Sequence, residues 1–310
     1  MSLKTSSLKK VNGELFLPGM LLCSPSKRFT YIDVPKAGCT KIRQLLMFLE
    51  RGESGRSDLT HFFKDVAPSP YYHWELGFGD AKELGTTTLS QTLEMEKDTF
   101  RFSFVRDPYS RLYSAWKNKI RSPNQPYYHY LSRVIKQQVA SGDYANAPER
   151  LDPIYPQEGM YLRRNVPVSD PKNIDWAQAK ERIMTARNSV DPLMDLYPID
   201  ESGESISFPD FIKYICRQET EEMDVHWLPM ADIITNQEQF DFIGRMENFA
   251  DDLTTVLTKL DAPSWLFELI SKKSNDTKGV FTEWTPELRS LIFERYKQDF
   301  EQFGYASQLD

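Results

Sequence analysis

"YIDVPKAGCTKIRQLL", residues 31–46, reads as a buried strand that runs through a tight loop into a helix. Phe29 to Val34 is short, β-branched and aromatic, and Pro35 stops it. From Thr40 to Arg51 the apolar residues Ile42, Leu45, Leu46 and Leu49 recur at helical spacing. Gly38 lets the backbone between them turn sharply, so that the amides of Gly38, Cys39 and Thr40 converge. The helix N-terminus behind them adds positive potential, Lys36 a full charge and Thr40 a hydroxyl. Such a loop suits a terminal phosphate or a sulfonated phosphate. The G-x-x-x-x-G-K-[ST] spacing of nucleotide triphosphatases is missing.

A second strand-to-helix junction follows at "FRFSFVRDPYSRLYSAWKNKI", residues 100–120. Phe100 to Val105 reads as a buried strand, Arg106 stands at its end, and Pro108 suits a first helical turn. Six residues of helix rise about 9 Å, and helical side chains lean back toward the N-terminus. Ser114 therefore points toward the turn from which Arg106 emerges, and the two can converge on one phosphate. Arg111 lies on a neighbouring face and is a further candidate. Asp107 reads as the helix cap.

Outward from these two junctions the chain has no repeat and no low-complexity tract. Residues 121–207 are rich in Pro, Tyr, Asn and Asp, with helical pieces near 128–140 and 173–187. They read as an irregular, partly helical insertion, at about 121–220, over a cleft. "DIITNQEQFDFIGRMENFADDLTTVL", residues 232–257, reads as strand, strand, helix. Thr285 is the expected cap and Pro286 the first residue of a closing helix. Buried strands alternating with amphipathic helices predict an α/β fold on a mainly parallel sheet, as one domain over 1–310.

Composition bounds the class. The 310 residues are 40% hydrophobic and carry a formal net charge of -7, enough for a sizeable core and unsuited to wholesale binding of nucleic acid or anionic membrane. Three cysteines without paired spacing (Cys23, Cys39, Cys216) argue against a disulfide framework or a cysteine zinc site. No run of about 18 apolar residues is present, and no metal-ligand motif. The expectation is a cytoplasmic protein without a membrane span or a metal.

The motifs "VPKAGCT" (34–40) and "FVRDPYSRLYSAWKNK" (104–119) resemble the two cofactor-binding motifs of the carbohydrate sulfotransferase family that includes chondroitin and HNK-1 sulfotransferases. "DVHWLPM" (224–230), "FDFIGRMENFADDL" (240–253) and "YKQDFEQFGY" (296–305) resemble later family blocks in the same order. The resemblance implies a P-loop-like sulfotransferase fold and transfer of the sulfonate of 3′-phosphoadenosine-5′-phosphosulfate (PAPS) to a hydroxyl acceptor, a carbohydrate or a small molecule. It implies that Lys36, Ala37, Gly38, Cys39, Thr40 and Lys41 take the 5′-phosphosulfate and that Arg106 and Ser114 take the 3′-phosphate. The basic loop at 271–281 can close over that phosphate through Lys278 and Gly279, or be a solvated charge run. Two departures stand out. Lys41-Ile42 replaces the family's Asn-Trp, and "ADIITNQEQF" replaces its paired cysteines. Both fit a reducing cytosol and a bacterial member.

Displacement at sulfur places negative charge on the departing bridging oxygen, which assigns Lys36 as the catalytic cation. The acceptor needs a base. His73 in "SPYYHWELGF" lies between the two cofactor motifs, where more distant sulfotransferases carry a catalytic histidine; His61 and Glu75 are the alternatives in the same interval. His226 reads as structural, packing with Trp227, and His129 as a surface residue. Tyr127, Tyr128 and Tyr130 can stack on a sugar or pack a loop. The competing readings are a small-molecule kinase with an atypical phosphate loop and a non-catalytic module that binds PAPS or its bisphosphate product.

Overall fold

The computed structural model describes residues 9–11, 14–16, 20–52, 88–121, 126–142, 206–271 and 284–307. Strands β1 (Lys9–Val11) and β2 (Glu14–Phe16) form a small antiparallel pair. The central sheet has the order β3 (Leu21–Cys23), β4 (Phe29–Ile32), β5 (Phe100–Val105), β6 (Phe242–Arg245). β3 meets β4 antiparallel, while β4, β5 and β6 run parallel. The expected mainly parallel α/β sheet is the one observed.

The parallel register places Tyr31 beside Phe102 and Val105 beside Arg245. Phe29, Tyr31, Phe102 and Phe104 are wholly buried. Their rings continue across to the next strand and along β5, with centroids 5.1 Å apart for Tyr31–Phe102 and 6.4 Å for Phe102–Phe104. Rings at such separations add attraction beyond the area they bury. Because all three parallel strands end on the same side of the sheet, the turns after Ile32, Val105 and Arg245 share one edge. That carboxyl edge is where open α/β sheets bind ligands.

Helix α1 (Cys39–Arg51) follows β4 and buries Ile42, Leu45, Leu46 and Leu49, the face expected from their spacing. Helix α2 (Leu89–Met95) starts on Thr88, whose hydroxyl accepts the Gln91 N–H at 3.1 Å. Helix α3 (Pro108–Ala115) starts on Asp107, whose carboxylate accepts the Ser110 N–H at 2.8 Å, as anticipated. It runs on as a π-helical turn over Trp116–Arg121. Such i→i+5 turns recur at functional sites. Helices α4 (Pro126–Ser141) and α5 (Phe208–Ile215) are the described flanks of the insertion. Both are packed into the core through Leu131, Ile135, Phe208, Phe211 and Ile212.

One element departs from expectation. The predicted strand at the start of 232–257 is instead the C-terminal part of a short helix, α6 (Met230–Ile233). The physical reason is distant in sequence. The buried Asp299 carboxylate accepts the N–H groups of Met230 and Ala231 at 3.0 and 2.8 Å, satisfying the donors a first helical turn leaves open. β6 follows, then α7 (Phe249–Lys259). At the C-terminus, α8 (Pro286–Arg295) is capped by Thr285 with Pro286 first, as expected, and Lys297–Phe303 forms a separate last helix. Among the described residues no helix is long and apolar enough to cross a membrane.

Candidate active site

The loop between β4 and α1 is held from three sides. Asp33 and Arg43 are both wholly buried and paired, with Nε donating to Oδ2 at 2.8 Å, which ties the strand end to the first turns of α1. Lys36 and Gly38 both adopt left-handed backbone, with φ of 72° and 84°. In a lysine this conformation costs of order 1 kcal/mol or more and persists only where the surroundings impose it. Gly38 has a second constraint: a Cβ there would lie 2.5 Å from Phe249 Cε2 and 3.2 Å from Met246 Sδ. The turn after β6 thus packs directly on the loop after β4.

The third hold is Arg111. It is 1% exposed, and its guanidinium donates to Pro35 O at 3.0 Å, Leu228 O at 2.7 Å and Val225 O at 3.3 Å. The sequence suggested Arg111 as a helper for phosphate. The structure corrects this, because its donors are committed to main-chain carbonyls. Its work is to staple the 225–228 turn against the loop.

Lys36 and Arg106 are brought together. Arg106 Nη1 donates to the Lys36 carbonyl at 3.2 Å, and Lys36 Nζ donates to Asn118 Oδ1 at 3.0 Å. Burial, then the neighbouring Lys119, lower the Lys36 ammonium to about 8, with Arg106 and Arg111 adding to the effect and Cys39 opposing it. Lys119 and Arg106 are likewise lowered by burial. Three partly desolvated cations around one loop leave a deficit of negative charge that a bound polyanion corrects. Ala37, Cys39 and Lys41 are buried in the same loop and helix start, Thr40 is half-buried, and Ser114 is buried on α3.

A second cluster adjoins the first. Asp224 Oδ1 lies 2.7 Å from His226 Nδ1 and also accepts the His226 backbone N–H at 2.9 Å. The Tyr128 hydroxyl lies 3.0 Å from the same Nδ1 and donates to Asp224 Oδ2 at 3.3 Å. Lys119 Nζ sits 4.4 Å from the centre of the Tyr128 ring, a cation–π distance. Burial lowers His226 to about 4 against the pull of Asp224, and the positive charges of Lys119 and Lys36 push the same way as burial.

The expected packing of His226 on Trp227 is not what forms. Trp227 donates Nε1–H to Gln218 Oε1 at 3.0 Å and meets Phe211 edge-on. His226 instead meets Tyr128 edge-on, ring centres 5.7 Å apart. Sequence reasoning also passed over Asn118 and Lys119. They lie inside the second motif, but only the π-helical turn reveals that both serve the loop. His61, His73, Glu75, Lys278 and Gly279 lie outside the described residues, as does the side chain of His129.

With this geometry in place, comparison with known proteins is decisive for one point. Residues 20–306 match the model of the sulfotransferase family. The chain belongs to that family. Among curated proteins, it is 23% identical over 291 residues to carbohydrate sulfotransferase 8 of Mus musculus, covering 90% of this chain and 54% of the relative. It is 22% identical over 297 residues to carbohydrate sulfotransferase 11 of Rattus norvegicus, covering 92% and 67%. With carbohydrate sulfotransferase 14 of Danio rerio the identity is 21% over 306 residues, covering 92% and 62%. The chain thus spans about half the length of the first of these relatives. No solved structure matches it significantly. The family model takes in both strand-to-helix junctions, the 224–228 turn and the α7 region of this sulfotransferase-family chain.

Proposed function

We propose that the chain is a sulfotransferase that moves the sulfonate of PAPS to a carbohydrate hydroxyl. The observation that carries this reading is the pairing of Lys36 with Arg106 on adjacent strand-to-helix turns, within hydrogen-bond distance and beside Lys119. Family membership and the carbohydrate sulfotransferase relatives support the reaction class and the acceptor class. When bound, PAPS supplies an activated sulfonate on a phosphate leaving group.

The residues then divide the work. The loop from Lys36 to Lys41 holds the 5′-phosphosulfate with its amides, the Thr40 hydroxyl and the α1 N-terminus. Arg106 and Ser114 hold the 3′-phosphate. Lys36 stands where negative charge grows on the departing oxygen, and a desolvated ammonium stabilises that charge more than a hydrated one. Asn118 Oδ1 accepts from the ammonium and holds it in place.

Nucleotide discrimination tests the reading without an acceptor. A hydrogen bond to a charged group contributes about 1.5–3 kcal/mol, so two of them favour 3′,5′-adenosine bisphosphate over 5′-adenosine monophosphate by about 100-fold or more. Calorimetric titration of both nucleotides is expected to show that margin in wild type and its disappearance in Arg106→Ala/Ser114→Ala. Equal wild-type affinities would remove PAPS from the reading and return the kinase alternative.

A further inference from the structure

The 224–228 turn is built around one histidine and faces the loop that holds Lys36. Trp227 and Leu228 both donate their N–H groups to the Asp224 carbonyl, at 3.0 and 2.9 Å, which closes the turn. Arg111 binds the carbonyls of Val225 and Leu228 on either side of His226, and with its remaining donor group it binds Pro35, next to Lys36. One buried guanidinium therefore fixes the imidazole's turn against the phosphate loop. We propose that His226 is the general base that takes the proton of the acceptor hydroxyl, with Asp224 as its positioning residue. The proposal rests on the sulfonate-transfer reading above and assigns the role for which His73, His61 or Glu75 was expected.

The tautomer follows from the partners. Asp224 is an acceptor, and it lies against Nδ1 at 2.7 Å, so Nδ1 carries the proton and Nε2 the lone pair. The Tyr128 O–H is directed to the other carboxylate oxygen. Nε2 has no hydrogen-bond partner among the described residues, and the side chain is 19% exposed. The groups that set its charge are Asp224 on its own turn, Tyr128 on α4, Lys119 on the π-helical turn and Lys36 on the loop. Burial first, and then the two lysines, keep the resting imidazole neutral. A bound polyanion beside them offsets their charge and raises the basicity of His226 when it is needed.

The step balances. The acceptor O–H proton passes to Nε2 while the acceptor oxygen forms its bond to sulfur. The bond from sulfur to the bridging oxygen breaks, and its electron pair stays on the phosphate of 3′,5′-adenosine bisphosphate, facing Lys36. Asp224 stabilises the imidazolium until it releases the proton.

The test has two arms. In the first, nitrogen-15 NMR of the histidines in the full chain reads tautomer and charge with no acceptor present. His226 is expected as neutral Nδ1–H at pH 7, with its pKa moving upward when 3′,5′-adenosine bisphosphate is added. Protonation of Nε2 at pH 7, or a pKa unmoved by bound bisphosphate, overturns the proposal. In the second arm, His226→Asn keeps an amide near the Nδ1 position for Asp224 and removes the basic nitrogen. With methyl glycosides and unsulfated glycosaminoglycan oligosaccharides as acceptors, turnover is expected to fall 100-fold or more, while affinity for 3′,5′-adenosine bisphosphate stays within threefold. Turnover within threefold of wild type returns the base to His73, His61 or Glu75. A tenfold loss of bisphosphate affinity makes His226 a support of the pocket and overturns its role as base. Failure of wild type to use PAPS sinks the sulfonate-transfer reading instead, and the NMR arm still reports on the imidazole.

Discussion

Lys36 combines a left-handed backbone with a partly desolvated charge, and neither is favourable for a lysine left to itself. The compensation is local: Asn118 accepts from its ammonium and Arg106 donates to its carbonyl. Under the proposed sulfonate transfer, this arrangement would make the ammonium most valuable when the leaving oxygen becomes anionic. Lys36→Ala is therefore expected to lower turnover far more than affinity for the bisphosphate product, and equal losses would reduce Lys36 to an anchor. The pH profile gives a second measurement. With the ammonium at about 8, the cation is present below that pH and lost above it. PAPS turnover at low substrate should thus decline through pH 8, and Lys36→Arg, whose charge persists, should lack that limb. Lys36 and Arg106 were legible as single residues because each stands where a buried strand ends. Arg111 was not, since nothing in "RDPYSRLYS" tells which of two arginines meets the Lys36 carbonyl and which reaches three others.

At the scale of elements, the site is made by three parallel strands that end along one edge, and by one close approach between their turns. Gly38 is the point of that approach. Its φ of 84° disfavours any side chain, and a Cβ would press on Phe249 of α7. Gly38→Ala is expected to destabilise the fold by about 1–3 kcal/mol, from strain and overpacking together. Adding Phe249→Leu should recover the packing part and leave the strain, so the double variant should melt between Gly38→Ala and wild type. A double variant no better than the single one would mean that the ring is not what a side chain meets. The strands at 29–32 and 100–105 and the helix at 39–51 were readable because a buried parallel strand has no polar face and an amphipathic helix has one. The helix at 230–233 was missed because its cap, Asp299, is 69 and 68 residues away from the N–H groups it accepts. The π-helical turn at 116–121 carries no composition that marks it. The pairing of Tyr128 with His226 spans 98 residues, beyond the reach of any local pattern.

For the whole molecule, a net charge of -7 coexists with a pocket of cations, so anion binding depends on how the fold distributes charge and not on its sum. The same burial that creates the pocket writes two opposed terms into stability. His226 falls from 6.5 to about 4 on folding. Between those values the unfolded chain binds more protons, so this term raises stability as pH rises from 4 to 6.5, is complete above 6.5 and is lost as pH falls through 4. Asp299 is pushed up from 3.8 to about 6, by burial first, against Arg111 and the N–H groups of Ala231 and Met230. There the folded chain binds more protons, and stability falls as pH rises through nearly the same window. Each term is on the order of 3 kcal/mol, and in wild type they largely cancel. His226→Asn removes one of them. Urea denaturation of wild type and His226→Asn from pH 4 to 8 should give a difference in unfolding free energy that grows in favour of wild type up to about pH 6.5 and is level above it. The variant alone should lose stability from pH 4 to 6, as Asp299 ionises without the offsetting term. A difference that stays constant across pH 4 to 6.5 would place His226 in the same surroundings folded and unfolded, which its Asp224 and Tyr128 contacts forbid.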